Sequence, residues 1–148
     1  MLLFGRGRSR RSLASALIGE IAAIIDGMEG FEEVRKLEDM EIGADDHLDD
    51  LAAFTLPKFA VYESNAGRLE LFDPIIQRQL AYFFTRAGSL SGHLHALASS
   101  QHDSKERCRQ HAIDAQREIN DLSELGDGLL RDLRKLISRK QTRTLSRA

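Results

Sequence analysis

The chain has few of the residues that interrupt a fold or cross-link it. It contains one cysteine, Cys108, and two prolines, Pro57 and Pro74, in 148 residues. A single cysteine cannot form an internal disulfide, which excludes a disulfide-stapled secreted fold and is compatible with the cytoplasm. Because proline is the strongest helix breaker, the long segments before Pro57 and after Pro74 are free to form helices.

Long apolar runs and a strong excess of one charge are missing as well. No window approaches the roughly 18 consecutive apolar residues that a membrane-spanning helix needs, so we expect a soluble chain. The N-terminus reaches its first arginine after too few apolar residues for a secretory signal. The net charge is −2, whereas dedicated nucleic-acid-binding proteins are usually strongly basic, so nucleic acid is not the expected partner.

What the chain does contain is charge gathered into blocks. Residues 6–11 hold four arginines and no acid, residues 20–50 hold twelve acids and two bases, and residues 131–148 hold seven bases and one acid. Such blocks are usually solvated faces or tails. The C-terminal block also suits the negative end of a helix dipole.

The second feature present is a seven-residue apolar repeat in three segments. Steps of three and four residues alternate in each, and strand-like alternation appears nowhere at comparable length. The series are Ala14, Leu17, Ile21, Ile24, Met28, Phe31; Ile76, Leu80, Phe83, Ala87, Leu90, Leu94, Leu97; and Cys108, Ala112, Ala115, Ile119, Leu122, Gly126, Leu129, Leu133, Leu136. This pattern predicts an all-α fold: an antiparallel bundle of three long helices, with a short helix and an extended connector between helices one and two.

The domain boundaries follow from composition. We expect a basic N-terminal flank (1–12), a helical bundle domain (13–140) and a frayed basic tail (141–148). If successive helices alternate in direction, the C-terminal basic block lies beside the acidic block of helix one. Their surface ion pairs would each contribute little.

Local signals predict where the helices begin and end. Ser9 or Ser12 is expected to cap helix one, and Gly27 and Gly30 to kink or break it. Asp73 followed by Pro74 is a typical start for helix two. We expect a loop over residues 43–50 and a turn over 99–104, with Asp103 or Ser104 capping helix three. Small residues of helix two, Gly88, Ser89, Gly92, Ala96 and Ser99, would allow another helix to approach closely.

The segment 61–72, V-Y-E-S-N-A-G-R-L-E-L-F, is the one stretch that differs from plain helix. We expect a short helix over residues 57–66 that Gly67 ends, then an extended strand-like connector. Seven of the nine aromatic residues lie between residues 54 and 84, so this region should be buried against the bundle. The residues expected inside are Phe59, Tyr62, Leu69 and Phe72, with Arg68 and Glu70 in solvent.

Two interpretations of this segment compete. Glu63, Asn65 and Arg68 could line a polar pocket, but the sequence offers no nucleophile–base pair, phosphate-binding glycine loop or carboxylate dyad beside them. A structural joint between helices explains every residue of the segment. We therefore favour the joint.

The same segment carries a resemblance. It follows L-A-S-A-L-I-G-E-I and precedes a long helix with Y-F-F-T-R, and in this order it resembles a diffuse group of uncharacterised bacterial proteins. Their layout is an N-terminal membrane anchor, an Arg-rich stop, a long helix and a V-[F/Y]-E-x-N-A box. The resemblance covers about residues 8–25 and 58–98. This chain lacks the anchor before Arg6 and has Glu70 where the group has glycine. The resemblance implies a place at the cytoplasmic face of the inner membrane and no particular activity.

Histidines and Cys108 suggest a metal site or a nucleophile near the second turn. The candidates are His93, His95, His102, Asp103, Glu106, Cys108 and His111. Neither a C-x-x-C pair nor H-E-x-x-H is present, and Cys108 lies on an apolar seam, where free cysteine usually acts as a small core residue. A buried thiol also lacks access and a group to lower its pKa.

These observations favour a non-enzymatic helical interaction module whose partner is an unknown protein or a second copy. It would lie in the cytoplasm, or form the cytoplasmic domain of a membrane-anchored protein. In the second case Arg6, Arg8, Arg10 and Arg11 are the positive-inside flank and contact anionic lipid weakly. The alternative is a metal-binding or enzymatic helical protein that uses the His/Cys cluster of residues 93–111. The sequence implies no cofactor.

Overall fold

A computed structural model describes the backbone at residues 2–40, 55–99 and 105–145, and side chains at 8–32, 55–99, 106–107 and 109–138. Its elements are α1 (Leu2–Met40), α2 (Ala60–Ser64), a 3-10 helix (Ala66–Leu71), α3 (Pro74–Ser99) and α4 (Lys105–Leu145). No strand occurs in these residues, and the three long helices pack together. The all-α bundle of three long helices is confirmed.

The apolar repeats form the core, as predicted. The largest fully buried side chains come from all three long helices: Leu17, Ile21, Ile24, Met28 and Phe31 of α1, Leu80, Phe83, Leu90 and Leu97 of α3, and Ile119 and Leu122 of α4. Each such burial contributes about 1.5–3 kcal/mol. Local periodicity alone was enough to find this core.

Helix α4 runs antiparallel to α3. In the middle of α3, Arg86 binds the carboxylate of Asp121 at 3.0 Å, and nearer its start Gln79 donates to Asp132 at 3.3 Å. Lower residue numbers on α3 therefore lie beside higher numbers on α4. The two helices form the predicted antiparallel hairpin.

Helix α4 is also antiparallel to α1. Gln116 donates to Glu32 at 3.1 Å, and ten residues further along α4 Gly126 lies against Ile25. Helices α1 and α3 therefore point in the same direction. The prediction that the C-terminal basic block lies beside the acidic block of residues 20–50 is wrong, because the C-terminal part of α4 packs along the N-terminal part of α1.

The segment between α1 and α3 accounts for this direction. Leu56 and Pro57 lie against Gly27, and α2 begins beside Glu20, two turns nearer the start of α1. The chain thus returns along α1 before α3 begins. A simple up-down-up sequence of helices lacks such a return, which is why the charge blocks were misplaced.

Several predicted boundaries of α1 are wrong. The helix begins at Leu2, so Ser9 and Ser12 lie inside it, and it continues through Gly27 and Gly30 to Met40. Glycine weakens an isolated helix by about 1 kcal/mol. Here the open side of Gly27 admits Leu56 and Pro57, whose side chains lie 3.7–3.8 Å from the point that a Cβ atom would occupy. Tertiary packing therefore offsets the cost of this glycine.

The connector also differs from the predicted extended form. Residues 66–71 form a 3-10 helix that includes Gly67, and α2 ends at Ser64 without needing that glycine as a stop. Asn65 joins the two helices, because its backbone N–H donates to the carbonyls of Val61 and Tyr62, and its own carbonyl accepts from Arg68. These local backbone hydrogen bonds favour a 3-10 helix over the extended form that the alternating sequence pattern predicted.

The predicted start of α3 is confirmed. Asp73 Oδ1 accepts a hydrogen bond from the backbone N–H of Ile76 at 3.0 Å, and Pro74 is the first helical residue. Such a cap contributes about 1 kcal/mol. The predicted loop at 43–50 and the caps at Asp103 and Ser104 lie outside the described residues.

Burial in the connector follows the prediction in part. Phe72 is buried, Arg68 and Glu70 are exposed, and Phe59, Tyr62 and Leu69 are half-buried against the core. Tyr62 stacks on Phe84 with ring centroids 4.1 Å apart, and Phe59 meets the edge of the same ring at 5.5 Å. The ring contacts of Phe59 and Tyr62 with α3 therefore converge on one aromatic side chain, Phe84.

The small residues of α3 do not make the close helix contact that the sequence suggested. Gly88 and Gly92 are exposed, and a Cβ atom at either would meet nothing within 4 Å in the described part of the chain. The close contact occurs instead at Gly126 of α4. A Cβ there would lie 2.9 Å from Ile25 and 3.0 Å from Phe83, so both neighbouring helices need this glycine.

Candidate functional site

The arginines at the N-terminus lie within α1 and not before it. Arg8 and Arg10 are exposed and Arg11 is half-buried. Arg6 belongs to the same helix, and its side chain lies outside the described residues. Because α1 begins at Leu2, these arginines lie beyond its first turn, where the helix dipole has little effect on a charge. The stability of α1 therefore gives no reason for this cluster.

A second group of bases, on α4, reaches the same end of the bundle. Arg131, Arg134 and Lys135 are exposed, and they precede the C-terminus of a helix that runs antiparallel to α1. The acid among them, Asp132, accepts a hydrogen bond from Gln79 on α3 at 3.3 Å, and at three residues' spacing it lies on the same side of α4 as Lys135. The fold thus gathers the two basic segments, which the sequence separates by more than a hundred residues. We call Arg8, Arg10, Arg11, Arg131, Arg134 and Lys135 the basic end.

The cations of the basic end differ from the arginine in the middle of the bundle in their surroundings. Among the side chains that the structure describes, no carboxylate lies within 4.0 Å of their charged groups. Arg86, in the seam between α3 and α4, has the opposite environment: its guanidinium lies 3.5 Å from Glu118 and 3.0 Å from Asp121. The basic end therefore has charge with which to attract an external anion.

A shallow hollow lies on α4 at this end. Its volume is about 510 Å³, and it is lined by Asp127, Leu130, Arg131, Arg134, Lys135 and Ser138. Leu130 is 6% exposed and forms an apolar floor. Three cations and one carboxylate surround that floor, so the hollow has a positive balance.

Glu20 is the most important polar residue that sequence reasoning missed. Its Oε1 accepts a hydrogen bond from the backbone N–H of Val61 and its Oε2 from that of Tyr62, each at 2.8 Å. These are first-turn N–H groups of α2, which have no partner within the helix, and Phe59 before them supplies no side-chain cap. A carboxylate on α1 therefore caps α2. The available signal was that Glu20 is the single acid in residues 1–25.

The polar residues of the V-Y-E-S-N-A-G-R segment serve the joint. Asn65 donates from Nδ2 to the carbonyl of Val61 at 2.8 Å and accepts from Arg68 at 3.0 Å. Glu63 is exposed on α2 and is not part of this pair. Since Asn65 is used to join α2 to the 3-10 helix, the arrangement fits a structural role better than a polar pocket.

The structure describes only some residues of the His/Cys cluster. His93 and His111 are half-buried, and His95 and Glu106 are exposed. Within residues 2–40, 55–99 and 105–145, no three His, Cys, Asp or Glu side chains converge as a metal site requires. His102, Asp103 and the Cys108 side chain lie outside the described residues.

A second hollow, of about 430 Å³, lies between α3 and α4. Tyr82, Arg86, Asp121, Glu124 and Gly128 are among its lining residues. Arg86 donates to the hydroxyl of Tyr82 at 2.7 Å, and this hydrogen bond raises the pKa of the guanidinium above its already high ordinary value. Because Arg86 is engaged by Tyr82, Glu118 and Asp121, it holds the seam together instead of facing a ligand.

Neither the described helices nor comparison with known proteins adds a function. None of those helices combines the length with the apolar character that crossing a bilayer demands. Comparison with protein-family models, curated proteins and solved structures finds no match.

Proposed function

We propose that this chain is a non-enzymatic helical interaction module whose basic end contacts an anionic membrane surface. The setting we propose is the cytoplasmic face of the inner membrane, as for the cytoplasmic domain of a membrane-anchored protein. The rest of the bundle is then presented away from the lipid, to a protein partner or a second copy.

One observation carries the proposal: the antiparallel packing of α4 on α1 puts six cations at one end of a chain whose net charge is −2. Basic residues near an anionic leaflet contribute about 1 kcal/mol each, and this attraction acts within a Debye length of the surface. An end-on contact keeps the exposed acids of α1, such as Asp26 and Glu29, away from the lipid.

The structural use of the other polar groups supports a non-enzymatic role. Glu20 caps α2, Asn65 joins two helices, and Arg86 is held by three partners. Side chains used in this way are not available for general acid–base or nucleophilic chemistry.

Co-sedimentation with vesicles tests the proposal. Phosphatidylcholine vesicles with and without phosphatidylglycerol are mixed with the intact chain and with Arg8→Ala/Arg10→Ala. We expect weak, salt-sensitive binding only to the anionic vesicles, and a loss of roughly 30-fold in the variant, since two bases contribute about 2 kcal/mol.

The matched control is Arg109→Ala/Arg117→Ala, which removes the same charge from exposed positions in the other half of α4. It should bind almost as the intact chain does. Absence of binding by the intact chain at low salt would refute the membrane contact, as would an equal loss in both variants.

A further inference from the structure

The two charged segments of the basic end approach each other along a seam, through Arg134 on α4 and Arg11 on α1. Arg134 lies eighteen residues after Gln116, which is five full helical turns, so the two share a face of α4. Gln116 contacts α1 through Glu32. Arg134 therefore lies on the edge of α4 that faces α1.

The corresponding edge of α1 leads to Arg11. Glu32, Ile25, Ile18 and Arg11 follow one another at seven-residue steps, which is nearly two turns. Glu32 contacts Gln116, Ile25 contacts Gly126, and Ile18 and Arg11 are half-buried along the same line. Extending this pairing puts Arg11 near the level of Ser138. Ser138 lies about one turn beyond Arg134, so Arg11 and Arg134 are near neighbours across the α1–α4 seam, within reach of each other's long side chains.

Like charges that lie close together across a seam repel, and an anion between them would relieve the repulsion. The hollow on α4 adds Arg131 and Lys135 to the same place, and its floor is the buried side chain of Leu130. Asp127 also lines the hollow and opposes part of this charge, leaving two net positive charges from the α4 residues. Arginine forks match phosphate oxygens in pairs, which makes phosphate the best-fitting anion.

We propose that the hollow of Arg131, Arg134 and Lys135 on α4, with Arg11 beside it on α1, binds the phosphate of an anionic phospholipid headgroup. This rests on the proposed function and adds to it a defined site, three of whose four cations are on α4. The apolar floor at Leu130 suits the glycerol part of a lipid next to its phosphate. The four cations of this site lie together at one end of the bundle, which suits a flat lipid surface. A nucleic acid lying along the bundle would meet Asp26, Glu29 and Glu32 on α1.

The test uses the full chain and compares three sets of variants. The α4 variant is Arg131→Ala/Arg134→Ala/Lys135→Ala, the α1 variant is Arg8→Ala/Arg10→Ala, and the control is Arg109→Ala/Arg117→Ala. All replaced side chains are exposed, and alanine favours helix, so circular dichroism should show each variant folded. Binding is measured to phosphatidylcholine vesicles with and without phosphatidylglycerol.

We expect the α4 variant to lose binding to the anionic vesicles by roughly 100-fold, while the control retains it. Arg131→Lys/Arg134→Lys keeps the charge but removes the guanidinium forks, so it should bind more weakly than the intact chain and more tightly than the α4 variant. If the α1 variant loses binding and the α4 variant does not, the α4 site is refuted and the membrane contact remains. If neither loses binding, both proposals are refuted.

Two further arms separate the source of the phosphate. A rise in melting temperature with soluble glycerol phosphate, without binding to vesicles, would overturn the lipid assignment in favour of a small soluble phosphate. Binding to duplex DNA at the same salt concentration with equal or greater affinity would overturn it in favour of nucleic acid. We expect neither.

Discussion

Helix α4 forms one seam with α3 and another with α1, and the charged residues in these two seams have opposite environments. In the seam with α3, Arg86 is bound by Tyr82, Glu118 and Asp121. In the seam with α1, Arg11 and Arg134 are inferred neighbours, and among the described side chains no carboxylate lies within 4.0 Å of either guanidinium. The α3 seam therefore uses its arginine for the fold. The α1 seam leaves its arginines available to an external anion, and that is the physical reason to look for function there.

The arginine of the α3 seam also keeps its positive charge at every pH below strongly alkaline solution. The hydrogen bond from Arg86 to Tyr82 raises the pKa of the guanidinium in the folded chain. A group whose folded pKa is raised contributes stability that is fully present below its unfolded pKa and is lost as the pH rises through the folded one. For an arginine that window lies in strongly alkaline solution. The α3 seam should therefore keep its cation at any pH at which the protein is studied.

The largest effect on stability is expected for Phe83, which lies where the two seams meet. Phe83 of α3 is fully buried, and it reaches Gly126 at the point where Ile25 of α1 arrives from the other side. Phe83→Ala should lower the free energy of unfolding by about 3–5 kcal/mol through the cavity it leaves. Urea titration followed by circular dichroism measures this.

The control for that change is Thr85→Ala, an exposed position on the same helix, which should alter stability by less than about 0.5 kcal/mol. A small effect of Phe83→Ala would mean that the seams do not share a core. The two seams would then belong to separately packed units and not to one continuous core.

A smaller effect concerns the side of the bundle where α4 is absent and the connector joins α1 to α3. Glu20→Gln keeps the shape of the side chain but turns one of its two acceptor oxygens into an amide donor that faces a backbone N–H. We expect a loss of about 2 kcal/mol, since hydrogen bonds to a charged group contribute about 1.5–3 kcal/mol.

The matched control for Glu20→Gln is Glu63→Gln, an exposed position on α2 that should be nearly neutral. Thermal unfolding of both variants at neutral pH gives the comparison. Equal, small changes would indicate that α2 does not depend on its cap from α1, and that the connector is held by the aromatic contacts of Phe84 alone.

The sequence predicted what is local and missed what depends on direction. The three apolar repeats identified the core of Ile21, Phe83 and Leu122, because a period near 3.6 residues is a property of each helix by itself. The Asp73–Pro74 start was likewise readable from two neighbours. An apolar repeat reads the same in either direction, however, so it could not reveal that α1 and α3 are parallel.

The candidate functional site was harder to predict than the core, because it depends on the directions in which the helices run. The basic segments were both visible in the sequence, and the four arginines of α1 were singled out as a lipid contact. Arg131, Arg134 and Lys135 were interpreted as a solvated helix end, because their place beside α1 follows only from the packing of α4. Glu20 was missed for a similar reason: the N–H groups that it caps are 41 and 42 residues away.

The smallest expected effect is the sharpest test of the comparison between seams. Arg134→Glu replaces one of two neighbouring cations with an anion, which should turn repulsion from Arg11 into attraction. At low salt we expect stability to rise by about 0.5 kcal/mol, the size of an exposed ion pair, and the gain to vanish at high salt, where the screening length falls to about 3 Å.

The carboxylate introduced by Arg134→Glu would also lie one turn from Arg131 on the same helix. The gain in stability could therefore come from a contact with either Arg131 or Arg11. A double-mutant cycle with Arg11→Ala isolates the contact across the seam.

Arg117→Glu makes the same charge change on α4 but next to Asp114 and Asp121, so it should lower stability slightly. The more stable Arg134→Glu chain should nevertheless bind anionic vesicles more weakly than the intact chain, since it loses a cation and gains an anion at the proposed phosphate site. A stability gain together with lost binding would show that the unpaired arginines are kept for a ligand. No coupling to Arg11 would mean that the two guanidiniums are not neighbours, and the α1 seam would then differ from the α3 seam only in lacking an ion pair.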